Sequence, residues 1–164
     1  MALRTADIMT TEILSVPPEM TLMGLEATLR TNHISGAPVT ENGKLIGIIS
    51  LTDIGRQLRV ERSYAEALYD MADEAIAGKT TSSERMVGIS SKLGEKMEKL
   101  LVRDAMIQAV VTARPDQSIV EVAQLFLDHR VHRLLVTDDA GNLVGIISNT
   151  DFVRLIAKGE SFTK

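Results

Sequence analysis

The sequence lacks cysteine and tryptophan and contains few aromatic residues. Among its 164 residues there is no cysteine and no tryptophan, and aromatic residues make up 3% of the chain. Disulfide frameworks, cysteine-ligated metal centres and thiol nucleophiles are therefore excluded, and a reducing cytoplasm is the expected location. A chain of this length can bury enough apolar surface for a stable core without such cross-links.

The chain also lacks a strong charge of one sign and a long apolar run. Its 18 basic and 22 acidic side chains give a formal net charge of −4. Neither the basic charge nor the aromatic content suits a nucleic-acid partner. No apolar stretch approaches the roughly 20 residues of a membrane span, and Asp7 interrupts the N-terminus before a signal-peptide core can form. We therefore expect no nucleic-acid partner and no membrane partner.

What the sequence does contain is an internal repeat. Residues 43–54 (GKLIGIISLTDI) recur as residues 141–152 (GNLVGIISNTDF), and upstream Asp7 matches Asp104. Such self-similarity is the sequence signature of a duplicated structural unit. The predicted organisation is a first repeat at 3–55, a helical insert at 56–101, a second repeat at 102–157 and a tail at 158–164.

Each repeat is predicted to run strand, helix, strand, strand, helix, which is an α/β (α+β) fold. The opening strands are Ile13–Val16 and Val110–Ala113, both followed by proline. Asn42-Gly43 predicts a tight hairpin turn in the first repeat, because such a turn requires positive φ. The second repeat closes its hairpin with the longer loop 138–141.

The first helix of each repeat has a capping signal and an apolar face. Thr21 is the expected cap in the first repeat, and Ser118 with Glu121 forms a capping box in the second. The expected buried faces consist of Leu22, Leu25 and Leu29 in the first repeat and of Ile119, Val122, Ala123, Phe126 and Leu127 in the second.

The insert is predicted to hold two more helices. A capping box from Ser63 to Glu66 predicts a helix over 64–77 that ends at Gly78, with Lys79–Ser83 as a loop. The expected apolar face of that helix is Ala65, Leu68, Tyr69, Ala72 and Ile76. A second helix carries Leu93, Met97, Leu100 and Leu101. These apolar stripes require a partner surface, either on the module itself or on a second subunit.

Three features of the repeats together resemble a known family. They are Asp-Ile-Met-Thr at 7–10 echoed at 104–107, a proline followed by a capped helix, and the duplicated Gly-Ile-Ile-Ser-x-Thr-Asp. They resemble a tandem pair of cystathionine β-synthase (CBS) domains, a Bateman module. The resemblance implies two pseudo-symmetric repeats packed sheet to sheet, with clefts for an adenosine-containing ligand: AMP, ADP or ATP above all, or S-adenosylmethionine or NADH.

The resemblance also assigns roles to the duplicated motif. In the family its hydroxyl and carboxylate side chains hold the ribose and phosphate of the ligand, which here implies Ser50, Thr52, Asp53, Ser148, Thr150 and Asp151. The chemistry is reasonable, because an ionised carboxylate accepts from a diol and a helix N-terminus suits phosphate. The alternative is that Ser-x-x-Asp caps its helix, which stabilises by about 1 kcal/mol without any ligand. Both roles can coexist.

A basic cluster at 129–133 supplies the positive charge that a phosphate requires. Arg133 can bind a phosphate bidentately and His132 can add positive charge, whereas Arg130 suits a solvated helix end. In the first repeat Ser35 and Gly36 stand at the positions of this His-Arg pair. The two clefts therefore either bind unequally or share a basic residue that one repeat supplies to a ligand held by the other. Ser35 remains a candidate contact there. Candidate walls for an adenine ring, or alternatively plain core residues, are Ile34, Ile48, Val131 and Ile146.

The function expected from these features is ligand sensing without catalysis. Dinucleotide, P-loop and nucleophile-elbow motifs are missing, and His129 with His132 lacks a third metal ligand. We expect a homodimer that responds to an adenosine-containing ligand, with no catalytic cofactor and no metal, and with an unidentified protein as a possible regulated partner. The insert is expected to join the subunit interface or to relay the ligand state. The alternative is a ligand-free dimerisation scaffold or adaptor that acts through protein contacts alone.

Overall fold

A computed structural model of the chain describes residues 3–76 and 81–159. Its helices and strands form the mixed α/β fold that the sequence predicts. The elements in chain order are α1 (Thr5–Ile8), α2 (Leu22–Thr31), β1 (Gly36–Glu41), β2 (Lys44–Ser50), α3 (Leu51–Ile76), α4 (Ser82–Lys99), α5 (Val102–Ala105), β3 (Thr112–Ala113), α6 (Ile119–His129), β4 (Arg133–Thr137), β5 (Leu143–Ser148) and α7 (Asn149–Ala157). Strands β1 and β2 form one sheet, and the order in the other sheet is β3-β4-β5.

The two helices predicted after the proline of each repeat, α2 and α6, are capped as predicted. The Oγ1 atom of Thr21 accepts from the Gly24 N–H, and the three leucines of α2 are fully buried. The Ser118–Glu121 capping box is present at the start of α6 and lowers the pKa of Glu121 through the Ser118 hydroxyl and N–H.

The core around α6 contains most of the side chains expected there. Buried residues of α6, β3, β4 and β5 form one cluster: Ala113, Val122, Phe126, Leu134, Val136 and Ile147. Leu127 was expected on this buried face, and that expectation is wrong, because the side chain is 72% exposed. It lies about 80° around the helix from Ile119, at the margin of the apolar stripe.

Both predicted hairpins are confirmed. Asn42 and Gly43 have φ values of 52° and 81°, as the tight turn requires. In the longer loop the carboxylate of Asp138 accepts from the side-chain amide and N–H of Asn142 and from the Ala140 N–H. These bonds, led by that of the Asn142 side chain, lower the pKa of the Asp138 carboxyl.

The opening strands are shorter than predicted. A strand over Ile13–Val16 is wrong, because Val16 alone forms an isolated bridge there. Pro17 and Pro18 follow at once and have no N–H to continue a ladder. In the second repeat the strand is reduced to β3, which pairs in parallel with Leu135 and Val136 of β4.

The first insert helix does not begin where it was predicted. Helix α3 runs without a break from Leu51 to Ile76, so Ser63 lies in its interior and the proposed cap is wrong. No proline separates the start of α3 from residue 63, and Gly55 is accommodated within the helix. The first turn already has a cap, because the Asp53 N–H donates to Ser50 Oγ at 3.4 Å. Ala65 is buried and Tyr69 half-buried, but Leu68 is exposed, contrary to the prediction. The Ala72 and Ile76 side chains and Gly78 lie outside the described residues.

The second insert helix also differs at both ends. It begins at Ser82 behind a capping box of Thr81 and Glu84, so the predicted loop is wrong for Ser82 and Ser83. Lys79 and Thr80, like the Met97 side chain, lie outside the described residues.

Helix α4 stops at Lys99, so the helical placement of Leu100 and Leu101 is wrong. The backbones of these residues bond elsewhere, since the Leu100 carbonyl accepts from Leu22 N and the Leu101 N–H donates to Asp104 Oδ2.

The chain divides into two compact units that interleave the repeats. One comprises 1–15, 38–47 and 108–164, and the other comprises 16–37 and 48–107. In the first unit Thr10 and Ile146 exchange two backbone hydrogen bonds of 2.9 Å. In the second, Ile48 and Ile107 do the same. Each unit thus contains the short N-terminal segment of the other repeat.

Membrane-spanning helices and metal-ligand groups were sought among residues 3–76 and 81–159. No helix among them is both long and apolar enough to cross a membrane. No group of three His, Asp or Glu side chains within them is placed to hold a metal ion.

Candidate ligand-binding sites

Both Ser-x-x-Asp motifs form the first turn of a helix. In the second repeat the N–H and Oγ of Ser148 donate to Asp151 Oδ2 at 2.7 Å each. In the first repeat the N–H and Oγ of Ser50 donate to Asp53 Oδ2 at 2.8 and 2.6 Å. The aspartates are 9% and 5% exposed. The capping interpretation is confirmed by these contacts, and the ligand role stays a prediction beside it.

An arginine that sequence reasoning missed pairs with each aspartate. Arg56 Nη2 lies 2.9 Å from Asp53 Oδ1, and Arg154 Nη1 lies 3.0 Å from Asp151 Oδ1. Each carboxylate therefore has one oxygen held by serine and the other paired with a guanidinium. Since a carboxylate oxygen accepts more than one hydrogen bond, Oδ1 retains acceptor capacity. The available signal was the arginine three residues after the aspartate in both copies of the repeat.

The hydroxyl residues of the motifs lie on the exposed side of these first turns. Thr52 is in the first turn of α3, Thr150 is in the first turn of α7, and both are exposed. The N–H groups of a helix start point outward without intrahelical partners. An anion at either place therefore meets backbone donors and a hydroxyl together.

The basic pair of the second repeat lies next to its Ser-x-x-Asp motif. Arg133 is directly opposite Ser148 in the antiparallel register of β4 and β5. The His132 carbonyl accepts from the Asn149 N–H at 3.2 Å, and Asn149 Nδ2 lies 3.1 Å from His132 Nδ1. Within the described ranges the Arg133 side chain makes no hydrogen bond or ion pair. The strand pairing thus brings an unpaired guanidinium to the helix start that carries Asp151.

The equivalent place in the first repeat is too crowded for such a pair. Gly36 lies beside Ser50, and a Cβ at position 36 would be 2.8 Å from the Ile49 carbonyl oxygen. The Leu51 N–H donates to the Ser35 carbonyl at 3.0 Å, so the backbone arrangement of the second repeat is kept. A side chain at position 36 would therefore clash with the neighbouring strand. As a consequence, the first repeat has no guanidinium at this place to bind a phosphate.

The four candidate adenine walls are all half-buried. Val131 packs against the core cluster around Phe126, whereas Ile48 and Ile146 hold the isolated bridges to Ile107 and Thr10. Ile34 lies three residues beyond the end of α2, and its N–H donates to the Leu29 carbonyl at 3.0 Å. The contacts of these residues are thus accounted for by the fold itself. Their role as adenine walls stays a prediction.

The end of α6 contributes a concave surface of about 560 Å³. Arg130 caps the helix in the left-handed conformation, with φ at 52°, in agreement with the helix-end interpretation. His33 has the same conformation in the first repeat. The residues that line the surface are Ala123, Phe126, Leu127, Arg130, Val131, His132, Asn149 and Phe152.

Comparison with known proteins matches both repeats to one family. The CBS domain family matches at residues 6–59 and 102–158. An uncharacterised protein of Methanocaldococcus jannaschii is 34% identical over 134 residues, which cover 77% of this chain and 76% of that protein. Two longer uncharacterised proteins of the same organism are 25% and 27% identical over 94% of this chain. The chain spans only 40% and 44% of their lengths.

Solved structures of similar fold include CBS domains. The CBS domain of a membrane protein from Sphaerobacter thermophilus is 30% identical with a TM-score of 0.63, covering 94% of this chain and 88% of that one. CBSX2 in complex with AMP is 22% identical with a TM-score of 0.65 and coverages of 94% and 96%. A CBS domain pair bound to 5′-methylthioadenosine and S-adenosyl-L-methionine is 19% identical, with a TM-score of 0.61 and coverages of 98% and 100%. With both of its repeats matched, this chain belongs to the CBS domain family.

Proposed function

We propose that this CBS pair is a regulatory module that binds an adenosine-containing ligand, with AMP, ADP and ATP as the favoured candidates. The observation that carries the proposal is the position of Arg133 opposite Ser148, beside the helix start that presents Asp151. A guanidinium, a carboxylate with acceptor capacity and exposed helix N–H groups match a phosphate joined to a ribose diol. The similar structures that contain AMP, or 5′-methylthioadenosine and S-adenosyl-L-methionine, support the same ligand class.

The roles within the proposed site follow the chemistry of each group. Asp151 Oδ1 accepts from a ribose hydroxyl, Ser148 holds the carboxylate, and Thr150 with Arg133 and His132 binds phosphate oxygens. In the first repeat Ser50, Thr52 and Asp53 bind a ribose in the same way, together with Ser35. The adenine ring packs on apolar walls chosen from Ile34, Ile48, Val131 and Ile146. S-Adenosylmethionine and NADH carry the same ribose and are the remaining candidates.

Helix α3 supports a role for the insert in relaying the ligand state. The first turn of α3 carries Thr52 and Asp53, and the same helix continues to Ile76 in the insert. Arg56, which pairs with Asp53, also donates to the Ala105 carbonyl at 3.4 Å. A ligand shifts a conformational equilibrium only through different affinities for its two states. Ligand contacts at residues 50–53 therefore change the position of α3 and, through it, a surface for the regulated protein.

A homodimer is the proposed assembly, and α6 with α7 supplies a surface for it. Four large apolar side chains on these helices are more than half exposed: Val120, Leu127, Val153 and Ile156. The two helices are neighbours, since the Phe126 and Phe152 rings pack edge to face at 5.6 Å. Exposed apolar side chains on neighbouring helices favour a protein interface. Sedimentation should show a dimer for the unaltered chain. Leu127→Glu should shift it towards monomer, whereas Met23→Glu, at an exposed position on α2, should leave it unchanged. A monomer for the unaltered chain contradicts this assembly.

The proposed role is sensing rather than catalysis. The charged groups of the site, Arg133, Asp151 and Arg154, suit binding and charge neutralisation. Incubation of AMP, ADP or ATP with the protein, followed by chromatography, should return the nucleotide unchanged. Turnover that copurifies with the protein and is lost in Asp151→Asn would overturn the non-catalytic role.

A thermal-shift panel tests ligand binding most simply. AMP, ADP, ATP, S-adenosylmethionine and NADH are compared at equal concentration. A ligand at 100 times its Kd stabilises the native state by about 2.7 kcal/mol, which corresponds to a Tm increase of several degrees. At least one ligand should give this shift. If none of the five does, the adaptor that acts through protein contacts alone replaces the sensing role.

A further inference from the structure

Asn149 contacts His132 twice, through its backbone and through its side chain. Its N–H donates to the His132 carbonyl at 3.2 Å, and its Nδ2 lies 3.1 Å from the ring Nδ1. The first repeat keeps only the backbone contact, from Leu51 to Ser35 at 3.0 Å. Leucine and serine cannot reproduce the side-chain contact, so it is particular to the second repeat.

We propose that Asn149 is a positioning residue that selects, for the neutral form of His132, the tautomer with its proton on Nε2. An amide nitrogen only donates, so the contact requires a lone pair on Nδ1. The single proton of the neutral ring then lies on Nε2. The asparagine thus fixes the ring orientation and leaves Nε2–H as a donor for a ligand.

The surroundings of this donor favour an anion. Arg130 lines the same concave surface as His132 and Asn149, and Arg133 follows next in the chain. The nearest acidic group of the motif, Asp151, is already paired with Arg154 and bonded to Ser148. Arg130, His132 and Arg133 thus lie within four consecutive positions, a local concentration of basic side chains in a protein whose net charge is −4.

This inference rests on the proposed function and narrows its ligand class. A fixed N–H donor beside a guanidinium binds phosphate oxygens well. It offers nothing to the sulfonium of S-adenosylmethionine. The phosphate-bearing ligands are therefore selected by the second repeat, and Asn149 acts on their affinity through His132.

The tautomer can be read directly by NMR. The full-length chain is labelled with ¹⁵N, and long-range ¹H–¹⁵N correlations are recorded in a buffer alkaline enough to keep imidazoles neutral. The chain has 3 histidines. His33 and His129 are both exposed and serve as internal references. His132 should show a protonated Nε2 and an acceptor Nδ1, with less tautomer averaging than the references.

Two substitutions make the test decisive. Asn149→Leu copies the first repeat, keeps the backbone bond, and should move the His132 resonances towards those of His33 and His129. Asn149→Asp presents only acceptors and should transfer the ring proton to Nδ1. An Nδ1–H tautomer in the unaltered chain, or identical His132 resonances in all three proteins, would overturn the positioning role.

Ligand titrations separate this inference from the proposed function. In Asn149→Leu the affinity for ADP should fall about fivefold, as expected for one neutral hydrogen bond, while that for S-adenosylmethionine stays unchanged. An equal loss for both ligands contradicts selective action on phosphate. If the unaltered chain binds neither ligand, the proposed function fails, whereas the tautomer measurement is independent of any ligand.

Discussion

Arg133 lies opposite Ser148 across the antiparallel pair of β4 and β5. This register places the basic residue of one strand beside the residue that caps α7 at the end of the next. Because Ser148 also holds Asp151, the guanidinium and the carboxylate belong to one local arrangement. The proposed roles follow from this arrangement: Arg133 binds the phosphate, and Asp151 binds the ribose.

Substitution of Arg133 should weaken ligand binding without weakening the fold. The side chain is exposed and has no partner among the described residues, so Arg133→Met should change Tm by less than about 2 °C, within the usual range for surface changes. The loss of a charge-assisted hydrogen bond should lower ADP affinity by about 10- to 100-fold. Calorimetric titration and thermal denaturation of the same samples measure both effects.

Arg62→Met on α3 is the matched control for this change. It also removes an exposed guanidinium, one that pairs with Glu66. ADP affinity should stay unchanged in this variant. A similar loss of affinity in both variants would point to net charge and contradict a specific role for Arg133.

The cap and ligand roles of Asp151 can be separated by Asp151→Asn. The asparagine oxygen can still accept from Ser148, so the helix start is retained and the stability loss should stay below about 1 kcal/mol. The amide nitrogen then faces Arg154 and cannot accept from a ribose hydroxyl. Nucleotide affinity should fall about 10- to 100-fold, as measured by titration. Unchanged affinity in a less stable variant would leave Asp151 as a helix cap alone.

Two glycines should respond to alanine in opposite directions. A Cβ at Gly36 would lie 2.8 Å from the Ile49 carbonyl oxygen, whereas a Cβ at Gly94 on α4 would have no atom within 4 Å. Gly36→Ala should therefore destabilise by about 1–3 kcal/mol. Gly94→Ala should stabilise by about 0.5–1 kcal/mol, because the exposed helix loses a flexible residue. Urea denaturation measures both, and a neutral Gly36→Ala would contradict the close strand approach.

The hairpin loop of the second repeat should contribute to stability in a pH-dependent way. Hydrogen bonds led by the Asn142 side chain lower the pKa of Asp138 below its ordinary value of 3.8. A lowered pKa in the folded state means that the stabilisation is present above the ordinary pKa and is lost as pH falls through the folded value. The Tm difference between the unaltered chain and Asp138→Asn should therefore be constant near neutral pH and should shrink below about pH 4. A difference independent of pH would contradict this role of the carboxylate.

Local sequence signals predicted the repeats better than the insert. Thr21, Ser118 and the Asn42-Gly43 turn act through contacts within a few residues, so their patterns translate directly into structure. Ser63 has an equally good capping pattern, but a cap forms only where a helix begins. Helix α3 begins at Leu51, so Ser63 lies in its interior. Thr81 and Glu84 also form a capping box, but they lie in a polar stretch whose serines and threonines equally favour a loop.

The site was predictable in its residue types but not in its pairings. The repeat pointed to Asp53 and Asp151, and spacing suggested their caps. The pairing of Arg133 with Ser148 depends on strand register, and the contact of Asn149 with His132 joins residues that are far apart in sequence. Arg56 and Arg154 could have been found, because aligning the repeats shows an arginine at the same position in each.

The most direct test of the central claim compares a ribose with a deoxyribose. Calorimetric titrations measure the tightest-binding nucleotide of the thermal-shift panel and its 2′,3′-dideoxy analogue, each against the unaltered chain, Asp151→Asn and Asp53→Asn. If the carboxylates bind the diol, the unaltered chain prefers the ribose form by about tenfold or more, and the preference shrinks in at least one variant. Equal affinity for both forms in the unaltered chain, or a preference that neither substitution reduces, would contradict ligand recognition by these motifs.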